Sequence, residues 1–79
     1  MYVYILESKK YNDKIYIGIT HDLRKRLPIH NRGEVPSTAQ YRPWKIIVAI
    51  WLHNKDKAFI LEKYLKTGSG RAFTKKHFL

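Results

Sequence analysis

Five side chains in this sequence could do chemistry together. Tyr4 and Tyr16 lie in two β-forming stretches, Arg26 and His30 stand four apart, and Glu62 sits beside Leu61 near a helical apolar stripe. A phenol with an ordinary pKa of about 10 is a weak base near neutrality. A guanidinium and a metal ion beside it favour the phenolate, which can then take a proton from water. Arg26 and His30, at i and i+4, share one face of a helix, where they would be a fixed cation and a proton shuttle aimed at a phosphate. The same residues have plainer readings. Tyr4 and Tyr16 would be a cross-strand aromatic pair, Arg26 part of a solvated basic face with Arg24 and Lys25, and Glu62 a surface partner of Lys66.

Several chemistries are excluded. Two-metal phosphate hydrolysis gathers carboxylates around paired ions, and the six acids here are scattered: Glu7, Asp13, Asp22, Glu34, Asp56 and Glu62. There is no cysteine, hence no disulfide, thiolate zinc site or cysteine nucleophile. His30-Asn31 and His53-Asn54 do not build the compact hairpin-helix unit of a His-Asn-His metal nuclease.

The elements that must position these groups form one domain across residues 1–79. Tyr2 to Glu7 and Ile15 to Thr20 read as strands, joined as an antiparallel hairpin through Asn12-Asp13. Period two puts Ile15, Ile17 and Ile19 on one face and Tyr16, Gly18 and Thr20 on the other; joining the aliphatic sets places Tyr4 and Tyr16 on a common face. Thr20 or Asp22 caps a helix from Leu23 to His30, in which Pro28 is expected to cause a kink or early loosening. Gly33 suits a left-handed stop. Glu34 to Arg42 is expected to be a loop. Trp44 to Leu52, nearly all apolar, suits a strand covered on both faces. A second helix starts at Asn54 or Asp56 and runs through Thr67 to a stop at Gly68, with Ala58, Leu61 and Leu65 inward and Phe59 and Ile60 broadening the stripe. Ser69-Gly70 would be a break, and Arg71 to Leu79 a short terminal helix pinned by Phe73 and Phe78. The fold class is α+β, with a small antiparallel sheet.

Sixteen Lys and Arg against six Asp and Glu leave a net charge of +10, which points to a polyanion partner. From Lys63 onward the chain carries Lys63, Lys66, Arg71, Lys75 and Lys76 with no acid. No apolar run approaches the roughly 18 residues of a membrane span, and the opening Met1 to Leu6 lacks the basic lead-in of a signal peptide. Lacking disulfide staples, the chain is expected to be cytoplasmic.

The order of these pieces resembles the GIY-YIG nuclease family. Tyr2-Val3-Tyr4-Ile5-Leu6 stands where the family has Gly-Ile-Tyr, with Tyr2 in place of the glycine, and Tyr16-Ile17-Gly18 matches Tyr-Ile-Gly letter for letter. Asp22-Leu23, Arg26 and His30-Asn31-Arg32-Gly33 follow, then Tyr41-Arg42-Pro43-Trp44, Ala58, Glu62, Leu65-Lys66 and Gly70-Arg71-Ala72-Phe73, as in small single-domain members. The resemblance implies a three-stranded antiparallel sheet flanked by helices and a one-metal DNA endonuclease. Either Tyr4 or Tyr16 would act as, or orient, the general base. Arg26 would steady the scissile phosphate, Glu62 would hold Mg²⁺ or another divalent cation such as Mn²⁺, and His30 would be a polar site residue. Arg24, Lys25, Arg32, Lys66 and Arg71 would contact nucleic acid. No asparagine follows Asn54, so the site asparagine of many members is missing or replaced by Thr67, Ser69 or Arg71. The substrate would be DNA, branched or otherwise structured, with specificity from this domain or a protein partner, and no membrane. The rival readings are a non-catalytic nucleic-acid-binding module of the same fold and a basic protein-interaction domain within a repair or ribosomal assembly.

Overall fold

The computed structural model describes residues 1–79. Strands β1 (Tyr2–Ser8) and β2 (Ile15–Thr20) come first, then helices α1 (Leu23–Asn31) and α2 (Pro36–Ala39). Strand β3 (Trp44–Trp51) and helices α3 (Lys55–Leu65) and α4 (Gly68–His77) complete the chain. The sheet is antiparallel with order β2-β1-β3, so the fold is α+β as the sequence implies.

β1 is the central strand, and its alternation divides the molecule. Val3 and Ile5 pair with Ile19 and Ile17, and this face closes against Ala58 and Leu65 of α3, with Leu61 alongside. Burying one leucine of such a face contributes about 1.5–3 kcal/mol. The opposite face carries Tyr4, Leu6 and Tyr16 and is covered by Leu23 and Leu27 of α1 and by Trp44. A bulge between Ile5 and Leu6 pairs Ile5 with Val48 and Leu6 with Ile46. Ile47 is left as the extra residue; it packs in the first core while Ile46 packs in the second.

Several expectations are corrected. Trp44 to Leu52 is not covered on both faces: β3 is an edge strand, with Ala49 and Trp51 exposed. An apolar run reports burial poorly where neighbours are set by sheet order, and here β1 takes the middle. The stretch from Glu34 to Arg42 is not all loop. Pro36, preset for a first helical position, opens the four-residue α2, and Thr38 is buried within it. Pro28 lies inside α1, which runs on to Asn31, one residue past the expected His30. Its last turn is tied to the sheet because the Asn31 side chain bonds both backbone groups of Trp44, accepting from its N–H at 2.6 Å and donating to its carbonyl at 3.2 Å. Asp22, not Thr20, caps α1 through the Lys25 N–H, and Gly33 has the expected positive φ of 79°.

The carboxyl-terminal reading shifts most. α3 ends at Leu65, and Thr67 caps α4, accepting from the Gly70 N–H at 3.1 Å. Ser69-Gly70 is therefore not a break but the first turn of a helix. Gly70 is there for contact: a Cβ on it would lie 2.1 Å from the Tyr64 carbonyl oxygen and 2.4 Å from Leu65 Cα. Gly70 and Thr74, both buried, hold α4; Phe73 and Phe78 pack on each other and stay partly exposed, as do Phe59 and Ile60. No helix is long and apolar enough to cross a membrane.

Candidate active site

Four of the five singled-out side chains meet on the α1 face of the sheet. Tyr4 lies opposite Gly18 and Tyr16 opposite Leu6, so the two phenols are diagonal neighbours with ring centroids 6.2 Å apart. Gly18 makes room for this: a Cβ there would stand 2.5 Å from both Cζ and the hydroxyl of Tyr4 and 2.8 Å from the Tyr16 ring. Tyr4 thus crosses the neighbouring strand where a side chain would otherwise stand. Arg26 and His30 reach the same point from α1, one turn apart.

The hydrogen bonds have a direction. Tyr4 Oη and His30 Nε2 are 2.9 Å apart, and His30 Nδ1 and Thr38 Oγ1 are also 2.9 Å apart. The Thr38 hydroxyl donates to the Val35 carbonyl, which can only accept. Thr38 therefore accepts from His30 Nδ1–H, which leaves Nε2 as the acceptor of the Tyr4 proton. Arg26 Nε donates to the same phenol oxygen at 3.4 Å. Tyr4 and Thr38 are each 1% exposed and His30 is fully buried, yet no buried side-chain polar atom lacks a partner. An orphaned group there would cost about 1–3 kcal/mol.

The electrostatics follow from this packing. Burial pushes the Tyr4 phenol above its ordinary pKa; the Arg26 hydrogen bond opposes that, and Tyr16 and the Glu62 carboxylate add to it. Burial, and then the Arg26 charge, push His30 below the ordinary histidine value, so it is neutral near pH 7 and able to take a proton. Arg26 is held above its usual value, chiefly by its bond to Tyr4.

Glu62 approaches from α3, within electrostatic reach of Tyr4, and its carboxylate pairs with Lys66 at 3.2 Å. No three His, Cys, Asp or Glu residues gather into a metal-binding group. One hard oxygen donor does fit Mg²⁺, which keeps several waters and needs only one or two carboxylates beside substrate phosphates. Among the expected nucleic-acid contacts, Arg24, Lys25 and Arg71 are exposed. Arg32 is engaged by Glu34 and Lys66 by Glu62. Thr67, a candidate for the missing asparagine, is committed to its cap and donates to the Tyr64 carbonyl at 2.6 Å.

A family model described as the GIY-YIG catalytic domain matches residues 1–76. The chain belongs to the GIY-YIG family. Among curated proteins it is similar to a UPF0213 protein of Streptococcus pneumoniae (serotype 4, strain TIGR4), 39% identical over 66 residues. A UPF0213 protein of Clostridium perfringens (strain 13) is 36% identical over the same length. Each alignment covers 82% of this chain, but only 65% of the streptococcal protein and 69% of the clostridial one. No solved structure matches at the same significance. The GIY-YIG motif letters contain no trace of Thr38, which the sequence reading missed. It lies in a four-residue helix without periodicity, and only its burial against His30 marks it.

Proposed function

We propose that this GIY-YIG domain is a divalent-metal-dependent endonuclease that hydrolyses DNA phosphodiester bonds, with Tyr4 as general base. The hydrogen bond from a buried Tyr4 to a buried, neutral His30, with Arg26 on the same oxygen, is the observation that carries this reading. As Tyr4 takes a proton from the attacking water, its own proton passes to His30 Nε2. Arg26 stabilises the phenolate character of Tyr4 and stands beside the charge that grows on the phosphate. Tyr16, half-exposed next to both, orients the water or phosphate. Glu62 would hold Mg²⁺, whose charge would offset that of the phosphate and the leaving oxygen. A mere binding surface would have no use for a carboxylate amid positive charge, or for a proton acceptor behind a buried phenol.

The test is incubation with branched, flapped, duplex and single-stranded DNAs, with Mg²⁺ or with EDTA. Cleavage of at least one substrate, abolished by EDTA, is expected. Binding should weaken by orders of magnitude between about 50 and 200 mM salt if several phosphates are contacted. Metal-independent cutting, or none with any substrate, would overturn the assignment.

The relay also has a pH signature. His30 must be neutral to accept a proton. Its pKa lies below the ordinary value of about 6.5, so the rate holds as pH falls through that value and drops only at lower pH. Thr38→Val removes the acceptor of Nδ1–H and frees the ring to adopt the tautomer that donates toward Tyr4. The plateau rate should fall about tenfold or more, as for other partners that orient a histidine, and Thr38→Ser should recover it. Equal pH–rate profiles for Thr38→Val and wild type would remove Thr38 from the relay.

A further inference from the structure

The turn between β1 and β2 is built more firmly than a hairpin connection needs. Ser8, 1% exposed, donates from Oγ to the Tyr41 carbonyl at 2.6 Å and accepts from the backbone N–H groups of Lys10 (3.1 Å) and Tyr11 (3.0 Å). Lys9 N–H donates to the Pro43 carbonyl at 2.8 Å. One buried hydroxyl and these backbone bonds thus lock the turn to the loop before β3. On the outside of this unit the Tyr11 and Tyr41 rings meet edge to face, 5.6 Å apart, and Tyr41 packs in the same way on buried Trp44 at 6.5 Å. Lys14 Nζ lies 5.3 Å above the Tyr41 ring and Lys10 Nζ 5.8 Å above Tyr11. Tyr11 remains 42% exposed, and Lys9, Lys10 and Lys14 are exposed. The one acid of the turn, Asp13, lines a neighbouring cleft of about 430 Å³ with Asn12, Lys75 and Leu79.

None of these residues takes part in the Tyr4–His30 relay, yet Tyr41 packs against the Tyr4, Leu6 and Trp44 cluster, so both lie on one side of the sheet. Ser8 is four residues from Tyr4 along β1, about 14 Å at roughly 3.4 Å per residue. That is about four base steps at 3.4 Å per nucleotide. We propose that Tyr11, Tyr41, Lys9, Lys10 and Lys14 form a second nucleic-acid site, which holds an unpaired, single-stranded flank of the substrate. The proposal rests on a nucleic acid being the substrate. Anchored rings offer a stacking surface and the ammonium groups meet phosphates, the combination that binds single strands without reading sequence. A duplex hides the faces of its bases, and an acidic peptide would need the charge but not the locked rings.

Binding is measured by fluorescence anisotropy in EDTA, with a labelled oligothymidylate and a blunt duplex of equal length. Tyr11→Ala should weaken single-strand binding about tenfold while changing duplex binding less than about twofold, and Tyr11→Phe should bind like wild type. Lys10→Glu/Lys14→Glu, which keeps both rings, should lose most single-strand affinity and flatten its salt dependence. The proposal is overturned if the wild type does not bind the single strand, if Tyr11→Ala binds it normally, or if single-strand and duplex binding fall together. Because no cleavage is read, failure of the nuclease assay would leave this surface standing, and failure here would leave the nuclease reading intact.

Discussion

In Glu62→Gln, cleavage with Mg²⁺ falls by at least about a hundredfold, roughly 2.7 kcal/mol of transition-state stabilisation. The substitution preserves the shape of the side chain and its helix propensity and removes only the charge that would hold the cation. Glu62 is the only carboxylate among the charges that act on Tyr4. DNA binding without metal should persist or strengthen slightly, because a negative charge leaves a basic surface. The melting temperature should barely move: the pair with Lys66 is a partly exposed i,i+4 contact that contributes about 0.3–0.5 kcal/mol. If Glu62 only partners Lys66, the same small stability change is expected with activity intact. Full activity of Glu62→Gln on a substrate the wild type cuts would remove Glu62 and the one-metal mechanism together.

Tyr4→Phe is expected to lower kcat by about 10²–10⁴, the usual contribution of a positioned base. The ring still fills the space over Gly18, so the sheet forms. The loss is chemical: Arg26 Nε has no phenol oxygen to bond, and His30 Nε2 has no proton to receive. Leaving that nitrogen unpartnered in a buried site should cost about 1–3 kcal/mol of stability, visible as a lower melting temperature. Tyr16→Phe should be milder in both respects, since Tyr16 is half-exposed and has no hydrogen bond to His30. Single-turnover kinetics of the two variants on the same substrate separate the roles. A larger loss for Tyr16→Phe would exchange them, and wild-type rates for both would exclude a phenol from the mechanism.

Much of this arrangement could be read along the chain because it depends on local rules. Strict alternation in β1 and β2 predicts that Tyr4 and Tyr16 share a face, and the register of β1 on β2 places them there. Helical spacing predicts that Arg26 and His30 point the same way, and both reach Tyr4 although Pro28 stands between them. The turn at Gly33 and the inward Ala58 and Leu65 likewise follow from residue type and period. The role of Ser69-Gly70 did not. Two small residues read as a break, whereas their meaning comes from α3, whose carbonyl at Tyr64 leaves no space for a side chain on Gly70.

Residue types and their periodicity by themselves determined the α+β class, the two faces of the hairpin, the excess of positive charge and the identity of the chemically capable side chains. These depend on backbone geometry and composition, which act over a few residues. Only the tertiary structure decided that β1 is central and β3 an edge, since sheet order is a matter of contacts between distant segments. The tertiary structure alone also made Thr38 matter, because a hydroxyl in a four-residue helix acquires a role only when it is buried against His30 from another helix. The same burial pushes the pKa of Tyr4 up and that of His30 down, turning an ordinary phenol and imidazole into a directed pair. Desolvation of this kind depends on what packs around a group, and residues far apart in the chain supply that packing.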